Sequence, residues 1–394
     1  MDKIEELLTR GVDKIYPSKE ELEKVLETKK RLRVYQGFDP TGTQLHIGHM
    51  VGLRKLRQWQ DLGHHVIFLI GDGTGQAGDP SGKTSTREKF LTREELRKNA
   101  ADYVKQAGRI VKFKGKNPAE ILFNSDWLNK LTLTDILNIA GHFSLQQLSE
   151  RDLYRERAKK GRTVNLREFL YPLLQAYDSV AMNVDLELGG TDQTFNMLMG
   201  RNLVKIMQGR DKFVMTTPLL TDTFGNKIGK TEGNVIALID KPEDLYTKIM
   251  ALSDNIIVKG FEYLTDIPMD EVKQIGKDIK GGKNPISYKK ILAFEIVKQL
   301  NSHESAHKAQ ENFEKTVQNK EQSLEILVVS SKSGSKLSEI AIKEGLVASN
   351  SEWKRLIDQG GIKKNNEQLK NTAEVLSDET ILQRGRKIIR IKPK

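Results

Sequence analysis

Residues 34–49 read Val34-Tyr35-Gln36-Gly37-Phe38-Asp39-Pro40-Thr41-Gly42-Thr43-Gln44-Leu45-His46-Ile47-Gly48-His49. They predict a short strand, a Gly/Pro/Thr-rich turn and a helix that opens at His46. Pro40 and Gly42 punctuate the turn. Leu45, Ile47, Val51, Leu53 and Leu56 give the helix an apolar face, and Arg54, Lys55 and Arg57 a wet one. A helix start presents unpaired N–H groups and a partial positive charge, which suits an anion. His46 and His49, three apart, share one face of its first turn. Gly48 between them keeps a side chain out of the way of a flat ligand. Two surface histidines on an ordinary connection are the plain alternative. A metal reading lacks a third ligand, because the chain has no cysteine and only 7 histidines.

Working outward, His65-Val66-Ile67-Phe68-Leu69-Ile70 reads as a buried strand. Strand, helix, strand predicts a βαβ unit and a parallel sheet with ligands at the strand C-termini. Gly73 to Gly78 matches G-x-G-x-x-G, but Asp79-Pro80 follows instead of a helix, so a dinucleotide site fails its context. Gly82-Lys83-Thr84 ends like a P-loop, but residue 77, where that motif needs Gly, is Ala77. Leu166 to Ala181 predicts a helix with Tyr171, Gln175 and Asp178 on one face, a polar stripe that needs partners if buried. Val184 to Gly190 predicts a strand that delivers Asp192 and Gln193 to its C-terminal end. Phe213 to Leu220 predicts another strand. Lys227-Ile228-Gly229-Lys230-Thr231 then sets two lysines on a glycine loop, a cationic hook.

The 394 residues suffice for several domains, and at 37% hydrophobic they can bury a core. No apolar run approaches the ~20 residues of a membrane span. The N-terminus reads as neither a secretory nor a transit signal, and the lack of cysteine fits a reducing cytoplasm. The net charge of +11 favours a polyanionic partner. Residues 331–394 hold 14 Lys/Arg against 8 Asp/Glu, over half of that excess. Residues 92–150 predict mostly helices, and 151–162 a basic connector available to RNA. Ser330 to Ser335 reads as a linker by composition. Helices at 337–345 and 350–358 and short terminal strands should follow it.

His46-Ile47-Gly48-His49 resembles the HIGH signature of class I aminoacyl-tRNA synthetases, and Lys227 to Thr231 their KMSKS signature, with Thr231 for the usual Ser. Gly37 to Gly42 and Leu170 to Asp178 narrow the resemblance to bacterial-type tyrosyl-tRNA synthetases. The resemblance implies an α/β fold: a Rossmann-like parallel-sheet catalytic domain over 1–235 with a helical insertion at about 110–165. A helical domain on the anticodon side would follow over 236–325, a linker over 326–335 and a small α+β RNA-binding domain over 336–394. It implies tyrosine activation by ATP with Mg²⁺, transfer to the 3′-terminal ribose of tRNA(Tyr), and a homodimer joined through the insertion.

By the same resemblance His46, His49, Lys83, Arg87, Lys227, Lys230 and Thr231 serve the phosphates. Tyr35, Asp79, Tyr171, Gln175, Asp178 and Gln193 hold tyrosine, with Asp79 on its ammonium and Tyr35 and Asp178 on its phenol. Gly37, Asp39, Thr41, Gly48 and Asp192 join His46, His49 and Lys230 around ATP, with no protein-held metal. Glu187, where some members have Gln, and Gly52, where some have a polar residue above the ribose, depart from the pattern. A tryptophanyl enzyme is the nearest rival, and a non-catalytic RNA-binding paralogue a more distant one.

Overall fold

The computed structural model describes residues 2–394 except 82–89, 150–153, 155–156, 158, 164, 222–227, 229–234, 319–325, 366 and 386. The chain forms two compact units, residues 1–310 and 311–394.

The first unit is built on a six-stranded sheet of β1 (Lys14–Tyr16), β2 (Arg33–Phe38), β3 (His65–Ile70), β4 (Glu120–Phe123), β5 (Leu186–Gly190) and β6 (Phe213–Thr217). Their order is β1-β6-β5-β2-β3-β4, parallel except for β1, which pairs antiparallel with β6. From β2 the chain winds outward through β3 to β4, then returns to the other side of β2 as β5 and β6. The strand order therefore reverses between β2 and β5, where α/β sheets open a crevice at their carboxyl ends. Val34, Val66, Ile67, Phe68, Leu186, Val214 and Met215 are all buried, as a sheet covered on both faces requires.

The helix after β2, Ile47–Asp61, starts at His46 as expected and buries Met50, Leu53, Leu56 and Trp59. Each such side chain contributes about 1.5–3 kcal/mol by leaving water. Ser18 caps the helix Lys19–Glu27 by accepting from the Glu21 N–H. The polar-striped helix runs Leu166–Ala181, within the predicted bounds, with Pro172 inside it.

Several expectations fail for local reasons. β1 and β4 are three and four residues long, too short to show a pattern, and β4 interrupts the stretch read as mostly helical. The last part of that stretch is two short helices, Leu133–Ala140 and Leu145–Ser149, on either side of Gly141. The glycine loop after β3 contains one helical turn, Thr74–Ala77, which Gly78 ends at φ +84°.

Residues 236–310, read as part of a separate helical domain, belong to the first unit. Arg10 donates to the Phe261, Glu262 and Thr265 carbonyls, and Arg54 of the His46 helix to Thr265 and Asp266. Buried guanidiniums bind these helices to the sheet layer.

The second unit is a five-stranded sheet, β7 (Ile326–Ser331), β11 (Lys387–Pro393), β10 (Thr380–Arg384), β8 (Ile362–Lys364) and β9 (Glu367–Gln368), in that spatial order. Helices Leu337–Lys343 and Asn350–Asp358 close an apolar core around Trp353, Ile357, Leu382 and Ile391. The expected linker 326–335 is thus largely a strand. Its apolar run pairs parallel with β11 from Ile326 to Ser331, and a turn with Gly334 at φ +87° follows. Serine-rich composition hid a segment held by its backbone ladder, since Leu327 and Val328 stay exposed.

Candidate active site

A cavity of about 300 Å³ opens at the carboxyl ends of β2 and β5. Among the residues singled out from sequence, Tyr35, Asp79, Tyr171, Gln175, Asp178 and Gln193 line it. So do Gly37, Asp39, Thr41, His46, Gly48, His49 and Asp192. Lys83, Arg87, Lys227, Lys230 and Thr231 lie outside the described residues. Ile228, inside the second signature, also lines the cavity, and its carbonyl lies 3.6 Å from where a Cβ on Gly48 would stand. The chain beyond that signature is stitched to the first, with Ile47 N–H donating to the Ile236 carbonyl and Leu238 N–H to Leu45. Two segments nearly two hundred residues apart therefore meet at one helix start.

At that start each imidazole is oriented by the backbone. His46 Nδ1 accepts from Gly48 N–H and His49 Nδ1 from His46 N–H, both at 3.1 Å, a reciprocal cap. A ring whose Nδ1 accepts carries its proton on Nε2 when neutral, so both present Nε2–H as a donor. Their centroids lie 3.8 Å apart. This edge suits phosphate oxygens. The turn leading to it is pinned by the helix Arg93–Ala107. Asn99 donates to the Pro40 carbonyl, and Gln106 donates to Thr43 and accepts from Leu45 N–H. Burial pushes the Tyr103 phenol, between them on that helix, up to about 12. These residues escaped notice in the sequence, although their spacings of four and three mark one helix face.

The opposite end is polar, buried or half-buried, and already paired. Tyr171 donates to Asp39 at 2.9 Å, and Thr74 donates to the other Asp39 oxygen at 2.8 Å. Gly71 permits that approach, because a Cβ there would collide with Asp39 and Thr74. Asp79 accepts from Gln193 at 2.9 Å and from Ser81 N–H at 2.8 Å. Gln175 accepts from Asn196 and donates to Glu187, each at 3.0 Å. Asp178, 2% exposed, accepts from Trp127 Nε1 at 2.8 Å and Asn124 Nδ2 at 3.0 Å. Burial pushes its carboxyl well above the usual range, and the two donors oppose that push. Burial beside Glu187 and Asp178 likewise raises the Tyr35 phenol, so it stays protonated.

The two departures have local explanations. Glu187 is neutralised by an ion pair with Lys212, both fully buried, and therefore does not face a substrate ammonium as a lone charge. The space next to Gly52 is filled by the Gln36 carboxamide, which a Cβ at 52 would strike. Gln36 Oε1 is buried with no hydrogen-bond partner among the described residues. The supporting layer of Asn124, Trp127, Ser179, Asn196 and Lys212 was not foreseen. Asn124 and Trp127 follow the missed strand β4, and a lone Lys212 before β6 carries no pattern. Arg157, inside the connector assigned to RNA, is instead buried in an ion pair with Glu168 at 2.7 Å.

A parallel sheet with a histidine-bearing helix start at its switch point, stitched to the chain that follows a second signature, has the architecture of class I aminoacyl-tRNA synthetases. The profile of the family described as tRNA synthetases class I (W and Y) matches residues 27–318, and the chain belongs to this family. It is 42% identical to the tyrosine–tRNA ligase of Thermotoga maritima over 88% of this chain and 86% of that one. It is 40% identical to that of Geobacter metallireducens over 93% and 92% of the two chains. Among solved structures, a C-terminally truncated mitochondrial tyrosyl-tRNA synthetase from Aspergillus nidulans superposes with TM-score 0.67 at 25% identity, covering 79% of this chain and 93% of that one.

Proposed function

We infer that this chain is a tyrosine–tRNA ligase. It activates tyrosine with ATP to the adenylate, releasing pyrophosphate, and transfers tyrosine to the 3′-terminal ribose of tRNA(Tyr). The observation that carries the reading is one cavity with a buried Tyr35/Asp178 polar end and an imidazole pair at the other, in a chain about 40% identical to tyrosine–tRNA ligases over most of its length. The buried Asp178 and Tyr35 also favour a phenol over an indole, which offers a single N–H donor and no oxygen acceptor.

The substrate carboxylate is itself the nucleophile, so the protein's task is to position the reactants and stabilise charge. Asp178 accepts a hydrogen bond from the substrate phenol and Tyr35 donates one to its oxygen. Asp79 takes the ammonium, Gln175 and Gln193 border the amino-acid backbone, and Asp192 takes the ribose. His46 and His49 donate to phosphate oxygens as negative charge builds in the transition state, where their contribution to rate is made. Lys83, Arg87, Lys227 and Lys230 serve the pyrophosphate, the role that the family resemblance implies for them. Mg²⁺ enters on the ATP phosphates. Among the described residues no group of three or more His, Asp and Glu side chains could hold a metal.

Phenylalanine would leave Tyr35 and Asp178 without their substrate partners, and orphaned buried groups cost about 1–3 kcal/mol each. Discrimination of this kind by tyrosyl-tRNA synthetase, by about 10⁵ without editing, is a general reference case for the principle.

Two further parts of the reading rest on surfaces. Leu133, Leu137, Leu145 and Leu166 are 61–75% exposed within or just beyond the expected insertion, and they support a homodimer. Sedimentation at the mass of two copies, reduced to one by L133D/L137D, checks it. The basic second unit supports tRNA binding. No described helix is long and apolar enough to cross a membrane, and the chain works in the cytoplasm. Charging of tRNA(Tyr) transcripts with labelled tyrosine tests the whole reading, and absence of charging despite adenylate formation would restrict the protein to the first step.

A further inference from the structure

Lys212 is buried below the phenol end of the cavity, where it donates to Glu187 and, at 2.8 Å, to Ser179 Oγ. Ser179 Oγ lies 2.9 Å from Tyr35 Oη and 3.3 Å from Glu187 Oε2. A hydroxyl has one proton to give. Ser179 can therefore donate to Tyr35 or to Glu187, but not fully to both.

The substrate fixes which choice is useful. Each Asp178 oxygen already accepts from an N–H, of Trp127 or Asn124, so the side chain is placed as an acceptor and the substrate phenol must spend its proton there. The phenol oxygen then needs a proton from Tyr35. Tyr35 also has a single proton. If it points at Ser179, the substrate oxygen receives nothing. The productive arrangement requires Ser179 to donate to Tyr35, and hence to have its proton drawn away from Glu187.

Lys212 supplies that bias twice. Its ammonium has three donors and no acceptor, so it can only fill a lone pair on Ser179. It also satisfies the Glu187 oxygen that competes for the serine proton. A hydroxyl that accepts from a cation is a stronger donor in turn. Ser179 Oγ also lies nearer the Tyr35 phenol than the Glu187 carboxylate, so the chain is in contact and only its direction has to be set.

We propose that Lys212 is a positioning residue for specificity. It sets the direction of a hydrogen-bond chain, Lys212 to Ser179 to Tyr35 to the substrate phenol. The inference rests on Tyr35 and Asp178 being the phenol site.

Amino-acid-dependent ATP–pyrophosphate exchange by the full-length protein, with tyrosine and with phenylalanine, tests it. In Lys212→Met the uncompensated Glu187 captures the serine proton, and Tyr35 turns toward Ser179. The tyrosine/phenylalanine ratio of kcat/KM should fall about tenfold, the worth of one hydrogen bond. The fall should lie in the KM for tyrosine, with phenylalanine activation unchanged. In Lys212→Met/Glu187→Met the competing acceptor is gone, so Ser179 again donates to Tyr35. The ratio should recover to within about twofold of wild type. A merely structural role, the stranding of a buried charge, would lower activation of tyrosine and of phenylalanine together and leave their ratio at the wild-type value in both variants.

If Lys212→Met does not fold, Lys212→Gln, which removes the charge and keeps a donor, should lower the ratio about threefold. A wild-type ratio in whichever single variant folds, or a double variant no better than its parent, overturns the proposal. Asp178→Ala separates the two levels of the account. If it loses discrimination and the Lys212 variants do not, the phenol site stands and the relay falls. If Asp178→Ala itself keeps wild-type discrimination, both fall.

Discussion

The two ends of the cavity are built on opposite plans. At the amino-acid end the polar side chains are buried or half-buried and bonded to one another before any ligand arrives: Asp178 to Asn124 and Trp127, Gln175 to Asn196 and Glu187, Asp79 to Gln193. At the phosphate end two imidazoles stand at a helix start, oriented through Nδ1 by main-chain N–H groups. The difference teaches how the task is divided. A slot fixed in advance discriminates between ground states, because a wrong ligand orphans groups that cannot relax. A helix edge that gathers charge late contributes to rate.

The sharpest way to break that division is His49→Ala. It should lower kcat for adenylate formation about 10²–10³-fold, the usual cost of one preorganised transition-state donor, while the KM for tyrosine stays put. A variant that instead raised KM and spared kcat would place His49 in ground-state binding. Next comes Asp178→Ala, which should cut the tyrosine/phenylalanine ratio by about 10–100-fold, as expected for a hydrogen bond to a charged group. Its kcat with tyrosine should suffer far less than that of His49→Ala. If the two variants failed in the same kinetic parameter, the contrast between the ends would be lost.

Removal of residues 319–394 asks whether either end needs the second unit. Pyrophosphate exchange should remain within about twofold, whereas tRNA charging at moderate salt should weaken about tenfold or more as phosphate contacts are lost. The cut must precede β7, since residues 326–331 belong to the second sheet. Equal loss in both assays would tie the second unit to adenylate chemistry.

The smallest effect lies behind the phosphate end. Burial, with the Arg10 guanidinium nearby, pulls the Lys55 ammonium down to about 7. Between pH 7 and its ordinary value of 10.5 the unfolded chain binds a proton that the folded chain does not, so stability rises with pH across that window. Lys55→Met lacks this rise. The wild-type melting temperature should therefore gain on that of the variant by a few degrees from pH 7 to pH 10. Parallel curves would show that Lys55 keeps an ordinary affinity for its proton.

The same contrast explains what could be read from sequence. The histidine end could be located because its pieces are local: a turn, a helix start and two histidines occupy consecutive residues, and the fold sets them on one cavity wall. Tyr171, Gln175 and Asp178 were legible because one helix carries all three. What supports them was not, because Asn124, Asn196 and Lys212 come from three separate segments and converge only through the sheet order. Glu187 shows the cost of that blindness. Alone it looks like an excess charge beside the substrate, and only folding brings Lys212 from before β6 to meet it. In the second unit both helices were foreseen, whereas β7 was lost to its serines because a backbone ladder leaves little trace in side chains.

The central claim is that the buried end of this cavity reads a hydroxyl on an aromatic ring. Amino-acid-dependent pyrophosphate exchange by the wild-type protein across the twenty amino acids tests it most directly. Tyrosine should support exchange with a kcat/KM orders of magnitude above those of phenylalanine and tryptophan. Exchange with phenylalanine or tryptophan at a comparable kcat/KM would contradict the account.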